Sequence, residues 1–433
     1  MARRKRKKNR IRLLFIIIII LIGLFYVKKN KSKDNDDILD GDKVINNISF
    51  NIVDKSESDK DIIEKYFMDG MSKKNFENVL NHKIKNVSNN KYNYINYEFE
   101  DKLHYSELES LFKEIGSSSI SDTYVIGSSV DKRNIYGITI GKGEKVLFID
   151  ANIHAAEVST TLVLTKFLAD LVNEYESGNK DVIEALNRVK IAAIPCMNPD
   201  GYEVYNYGVE SLNNKNLWIY QNKDNINFEN IKSNANGVDL NRNFPTQNVG
   251  LYYKGYNLIK NTSIEKTTEK GKYFNGYIAG SEPETRASMS FMLKYYKDTY
   301  AYINLHSQGR VLYAGKPNLS NEFNDLTRKF ANYISSYTSY KVHGLSSEEV
   351  GEGNDGSATD FMAELANGFV FSTKTGRLST DKYVNNSCSL EYKYPVVTME
   401  ITKTWTSDVS VFKDEYYNHG IKNMLFDLIK NKF

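Results

Sequence analysis

Three residues combine types and spacing that could do chemistry: His154, Glu157 and His306. His154 and Glu157 stand three apart in HAAE, directly after the apolar run KVLFIDANI, and His306 follows YAYINL. Both histidines therefore fall just past the ends of expected buried strands. On a loop that enters a helix, a His and a Glu at this offset can face one point. Zinc takes imidazole and carboxylate ligands, and a catalytic zinc needs three protein ligands and one open position. H-x-x-E alone equally describes a solvated ion pair, so both readings stand on the motif. Glu400 lies inside the apolar stretch VVTMEIT. A charge there is costly unless partnered or functional. It is either the partner of a buried Lys or Arg, or a general base that takes a proton from an attacking water. Arg242, between Asn241 and Asn243 in GVDLNRNF, is either a structural ion-pair partner or a fork for a substrate carboxylate.

The elements that must position these groups are legible as alternating periods. Residues 105–115, 157–175, 283–296 and 322–337 carry apolar side chains at helical spacing. Residues 135–140, 145–152, 188–194, 300–305 and 396–401 are largely apolar runs that suit buried strands, and 411–429 reads as one closing helix. Strands alternating with helices predict an α/β domain with a parallel or mixed sheet, whose chemistry sits on loops at strand ends.

Composition narrows the class. The chain has 433 residues, 41% hydrophobic and 26% charged, enough for a large core and unlike a disordered protein. Two cysteines, Cys196 and Cys388, exclude a cysteine-built metal cluster. The net charge is +3, yet eight Lys and Arg within residues 3–12 carry +8, so the rest of the chain sums to −5. Binding to nucleic acid is therefore not expected. Residues 1–12 form a basic end and 13–27 an unbroken apolar run, LLFIIIIILIGLFYV, roughly 22 Å long as a helix. No small-x-small cleavage site follows, which favours an uncleaved transmembrane signal anchor over a removed signal peptide. The basic flank places the N-terminus in the cytoplasm and everything after about residue 28 outside. Residues 28–100 read as a stalk or small lead-in region, with the catalytic domain over 101–433.

The order HAAE, NPDG, GVDLNRNF, SEPE, HSQG and then a strand glutamate resembles the carboxypeptidase A-like zinc metallocarboxypeptidases, here a bacterial, membrane-anchored member. The resemblance runs from about residue 105 to the C-terminus. It implies a single domain with a mixed, eight-stranded twisted sheet between helices. It implies one zinc per chain on His154, Glu157 and His306, with Glu400 as general base and Asp239 as the acceptor behind His154. It also implies that Asn241 and Arg242 grip the carboxylate of the leaving residue. NPDG and SEPE look like architectural turns. Two features depart from the pattern. The family's carbonyl-polarising arginine has no counterpart in residues 218–236, where either Lys223 or another lysine substitutes or zinc does most of that work. The family's mobile-loop tyrosine has Tyr383 as its nearest match, with Arg377 either an extra anchor for an acidic substrate or a surface residue.

The expected partner is a peptide, with a tethered enzyme held close to cell-wall peptidoglycan. The stretch FENIKSNANGVDLNRNFP is similar to bacterial relatives that cut the γ-D-glutamyl–diaminopimelate bond of stem peptides. A carboxypeptidase acting on other extracytoplasmic peptides is the companion reading. The competing classes are a membrane-anchored, non-catalytic module that binds peptide carboxylates, and a zinc deacylase of N-acyl amino acids.

Overall fold

The computed structural model describes residues 78–79, 81–99, 102–222, 231–247, 252–253, 256–257, 262–263, 274–276, 279–316, 319–344, 356–372, 377–379 and 391–431. The apolar run 13–27 lies outside them. Among the described residues no helix is long and apolar enough to cross a membrane.

Nine strands build the main sheet: β1 (Lys85–Asn86), β2 (Ser121–Ser128), β3 (Asn134–Ile140), β4 (Lys145–Ala151), β5 (Val189–Ile194), β6 (Thr299–Ser307), β7 (Val311–Ala314), β8 (Lys341–His343) and β9 (Val396–Ile401). Their order is β1-β2-β3-β5-β4-β6-β9-β7-β8. The four strands β5, β4, β6 and β9 run parallel to one another, and antiparallel neighbours flank them. The expected count was eight. The ninth strand is the two-residue β1, which comes from the segment before residue 101 and pairs with β2. Ile95, Tyr97 and Phe99 from that same segment pack into the core.

The central strands are apolar because helices cover both faces. Along β4 the side chains alternate: Leu147 and Ile149 pack into one cluster, Val146 and Phe148 into the other. The first cluster lies under α1 (Tyr105–Ile115), α2 (Val158–Glu176), α3 (Lys180–Arg188), α7 (Asn321–Thr338), α9 (Val409–Tyr417) and α10 (Ile421–Asn431). The second lies under α6 (Pro283–Tyr295) and α8 (Ala358–Ala366). Two further helices, α4 (Pro199–Tyr207) and α5 (Lys215–Gln221), lie in the long connection from β5 to β6. Each fully buried Leu, Ile or Phe in these layers contributes about 1.5–3 kcal/mol.

Local signals set the helix ends. In α1, Tyr105, Leu108, Phe112 and Ile115 form the buried stripe, and Glu107 accepts the His104 backbone N–H at 2.7 Å. In α7 the Ser320 side chain accepts from Phe323 N. The expected single closing helix over 411–429 is instead two. Gly420, at φ +76°, breaks it, and a Cβ there would lie 2.2 Å from the Tyr337 carbonyl oxygen. The turn lets α9 and α10 each lay an apolar face on the core.

Candidate active site

The site forms where β4, β6 and β9 end. Residues 302, 304 and 306 of β6 and 396, 398 and 400 of β9 share the face opposite to Ile303, Leu305, Val397 and Met399. His306 and Glu400 are direct neighbours in the parallel ladder. The chain then leaves β4 through Asn152 in the left-handed region, at φ +54°. Thr160 pins this turn by accepting Asn152 N and donating to the Glu157 carbonyl. Glu157 therefore caps α2, while His154 stands on the loop just before it.

The three residues meet as the spacing predicts. His154 Nδ1 lies 2.8 Å from Glu157 Oε1, and His306 Nδ1 lies 2.9 Å from Glu157 Oε2. All three are buried, and one ligand atom of each lies within 4.8 Å of the others. His154 Nε2 lies 3.2 Å from Asp239 Oδ1. Asp239 is thus the acceptor behind a ligand imidazole. Glu157 Oε2, 2.9 Å from His306 Nδ1, is buried without a hydrogen bond of acceptable geometry. A buried carboxylate oxygen left in that state calls for a further partner. Two imidazoles and one carboxylate are the donor set that suits zinc, so these residues fit the metal.

The electrostatics follow from burial and proximity. Burial disfavours the charged His154, but Glu157 and Asp239 outweigh it and lift the imidazole to about 9. Burial would raise Glu157, yet His154 and His306 hold it down at about 2. Burial lowers His306, with Glu157 opposing. Glu400 is half-buried as a residue, and burial desolvates its carboxyl. That burial, with Glu157 adding, raises it to about 8 against the pull of His154 and Lys232.

Asn241 and Arg242 arrive on a 3₁₀ turn, Leu240–Arg242, whose start is capped by Asp239 accepting Asn241 N at 2.9 Å. Asn241 Oδ1 accepts from Ala358 N, and its Nδ2 lies 3.4 Å from His306 Nε2. Arg242 donates from Nη1 to the Asn241 carbonyl. The structure thus brings His154, Glu157, His306, Asp239, Asn241, Arg242 and Glu400 to one place. Arg377 starts a short strand, Arg377–Ser379, paired with Val370–Ser372. Tyr383, Lys223 and Cys388 lie outside the described residues, and Cys196 is buried as a free thiol.

Other positions contribute without having stood out. Asp150, fully buried, accepts from Tyr302 Oη at 2.6 Å and from Asn304 Nδ2. Its presence inside KVLFIDAN carried the same signal as Glu400, a charge in an apolar strand. NPDG and SEPE do more than turn the chain. Asn198 Nδ2 donates to the Ile153 and Ser233 carbonyls and so ties the His154 loop to the segment before Asp239. Gly201 packs so close to that loop that a Cβ would lie 2.5 Å from the Ala155 Cβ.

The chain is similar to several known proteins. Against the γ-D-glutamyl-L-diamino acid endopeptidase 1 of Lysinibacillus sphaericus it is 31% identical over 202 residues, 45% of this chain and 47% of that protein. Against the carboxypeptidase N catalytic chain of Homo sapiens it is 29% identical over 181 residues, 40% of this chain and 35% of that protein. The chain therefore spans less than half the length of these curated relatives. The fold is similar to that of bovine thrombin-activatable fibrinolysis inhibitor, with a TM-score of 0.53 and 19% identity over 77% of this chain and 99% of the other. It is also similar to carboxypeptidase A of Helicoverpa armigera, with a TM-score of 0.51 and 16% identity over 78% and 75%. Residues 108–409 match the Peptidase_M14 zinc carboxypeptidase family, so this chain, with its His154–Glu157–His306 metal group, belongs to that family of zinc metallopeptidases.

Proposed function

We propose that the protein hydrolyses a peptide bond next to a residue that bears a free carboxylate, and that its substrates are cell-wall stem peptides of the γ-D-glutamyl–diaminopimelate type. The observation that carries the hydrolytic reading is the meeting of the metal group with Glu400 on the adjacent strand and with the Asn241–Arg242 turn. When bound, zinc acidifies water and polarises the scissile carbonyl. The rest is work for the chain's own residues. Arg242 and Asn241 receive the free carboxylate and set the bond beside Glu400. Glu400 takes a proton from water as its oxygen adds to the carbonyl carbon, and returns one to the leaving nitrogen as the C–N bond breaks. Asp239 orients His154 throughout.

The wall substrate is favoured by the similarity to a γ-D-glutamyl-L-diamino acid endopeptidase. It is also favoured by the apolar run at 13–27, which we propose as a single-pass anchor that leaves the domain outside the membrane. A tether near the wall raises the effective concentration of its peptides. The test is cleavage by the zinc-loaded protein of γ-D-glutamyl–diaminopimelate stem peptides and of ordinary peptides, read by mass spectrometry. Release of diaminopimelate-containing fragments supports the wall substrate. Removal of ordinary C-terminal residues alone would reassign the enzyme as a general carboxypeptidase. Peptide binding with no cleavage, unchanged by Glu400→Gln, would leave a binding module.

A further inference from the structure

Away from the metal group, the carboxyl groups of Asp131, Asp200, Glu282 and Glu284 are buried close together, Asp200 and Glu284 completely. The two aspartates share a guanidinium: Arg133 Nη1 lies 2.6 Å from Asp131 Oδ2 and 3.0 Å from Asp200 Oδ1. The two SEPE glutamates are held by neutral donors. Glu284 accepts Val130 N at 3.0 Å and Asn234 Nδ2 at 3.0 Å. Glu282 accepts from that same Asn234 Nδ2 at 2.7 Å, from Asn236 Nδ2 at 2.9 Å and from Ser281 Oγ at 2.7 Å. One amide nitrogen thus serves two glutamates. The next backbone amide after Val130, that of Asp131, donates to Asp200 at 2.8 Å, which sets Asp200 beside Glu284. The other charges around them are turned elsewhere or reach solvent. Arg286 on α6 donates to the Gly280 and Ser281 carbonyls, Lys132 on the β2–β3 turn is exposed, and Lys232 is half-buried. Like charges so close and so dry cannot all ionise, so one carboxyl keeps a proton. It is Glu284: burial, then Asp200 and Glu282, lift it to about 8 against the pull of backbone N–H groups.

The shared amide ties this proton to the metal group. Asn234 Oδ1 accepts Asn236 N at 3.0 Å and Val238 N at 3.2 Å, which closes the turn at the end of a strap over residues 231–236. Ala155 N and Ala156 N, which separate His154 from Glu157, donate to the carbonyls of Lys232 and Ile231 at 3.3 and 2.9 Å. Asn198 fastens the middle of the strap by donating to the Ser233 carbonyl at 3.0 Å. The loop that carries two metal ligands therefore leans on a strap whose far end is gripped by two glutamates.

We propose that Glu284 is a positioning residue for the zinc loop: while it keeps its proton, Asn234 clamps the strap under Ala155 and Ala156, and when the proton leaves, the clamp opens and the loop of His154 and Glu157 loosens. No substrate enters this inference, so it stands apart from which peptide is cleaved. The direction of the pH effect follows from the two states of the clamp. Opened to water, Glu284 gives up its proton near its ordinary 4.5, whereas the closed clamp keeps it up to about 8. Closure is complete below the first value and is lost as pH climbs through the second. Opening becomes about tenfold easier with each pH unit between them and levels off above about 8.

The experiment follows hydrogen exchange at the Ala155 and Ala156 amides of the zinc-loaded, full-length protein from pH 6 to pH 9, with the intrinsic rate divided out. In the parent, protection should fall about tenfold per pH unit up to about pH 7.5 and level off above pH 8. Glu284→Gln carries no titrating group, so its protection should vary less than about threefold over the range, whatever its level. Glu282→Gln removes a like charge beside Glu284, so its profile should level off at a lower pH than the parent's. That variant and the parent decide the matter if Glu284→Gln does not fold. Zinc transfer to excess chelator should speed up between pH 6 and pH 8 about tenfold more in the parent than in Glu284→Gln. A flat parent profile, a parental slope in Glu284→Gln, or equal pH dependence of zinc transfer in the two would overturn the proposal.

Discussion

Replacing Asp239 by asparagine isolates what supports the metal group. Asp239 is fully buried and does two things with one oxygen. Oδ1 accepts the Asn241 backbone N–H at 2.9 Å and faces His154 Nε2 at 3.2 Å. Burial alone would raise its carboxyl, but His154, helped by Arg242 and Lys232, holds it well below the usual range. Asparagine keeps the shape and the accepting oxygen, so the 3₁₀ turn that carries Asn241 and Arg242 should survive. It loses the charge that keeps the His154 ring oriented and basic. Loss of such a partner weakens metal binding by about 10–100-fold, or about 1.4–2.7 kcal/mol. Asp239→Ala removes the cap as well and should cost a further ~0.5–2 kcal/mol of folding stability. The assay is zinc competition against a chromophoric chelator near neutral pH, paired with urea unfolding without zinc. Zinc affinity of Asp239→Asn within threefold of the parent would refute the argument that Asp239 supports His154.

The other expectations concern single groups. Glu400→Gln should keep about one zinc per chain while kcat falls by about 10²–10⁴, checked by elemental analysis beside turnover. Arg242→Lys keeps the charge but not the planar fork, so KM for a peptide with a free carboxylate should rise about tenfold or more while kcat changes less. Esterifying that carboxylate should bring parent and variant together. Asp150 gives a pH dependence. Burial raises it from 3.8 to about 7, with bonds from Tyr302 and Asn304 pulling the other way. The folded protein thus keeps a proton that the unfolded chain gives up near 3.8. The stability this proton contributes is complete below that value and is lost as pH climbs through about 7. Between about pH 5 and pH 8 the parent should lose about 3 kcal/mol relative to Asp150→Asn in urea unfolding. Parallel profiles would contradict this.

The strands and helices that place the site were readable because their apolar residues repeat at periods of two or 3.6, as in β4 and α1. His154, Glu157, His306 and Glu400 were readable because polar residues interrupt apolar runs at strand ends. The split between α9 and α10 was not readable. Gly420 inside a long apolar pattern looks tolerable until the close approach of the Tyr337 carbonyl is known. The edge strand β1 is two residues long and carries no periodicity at all. The roles of NPDG and SEPE were hidden because they act through partners remote in sequence, such as Asn198 on Ser233 and Glu284 on Asn234.

The sheet order also bears on when the molecule becomes competent. β9, third from the edge, enters between β6 and β7, both of which precede it by more than eighty residues. During synthesis β6 and β7 therefore wait with their facing edges open, and those edges can pair with strands of other chains. Pairings of such long sequence separation form slowly, because loop closure comes before the contacts that reward it. Glu400 rides on β9. Glu400, which we propose as the general base, is the last of the four groups to arrive, so the unfinished chain can gather His154, Glu157 and His306 before it has that carboxylate. Completing the sheet and arming the site are one event.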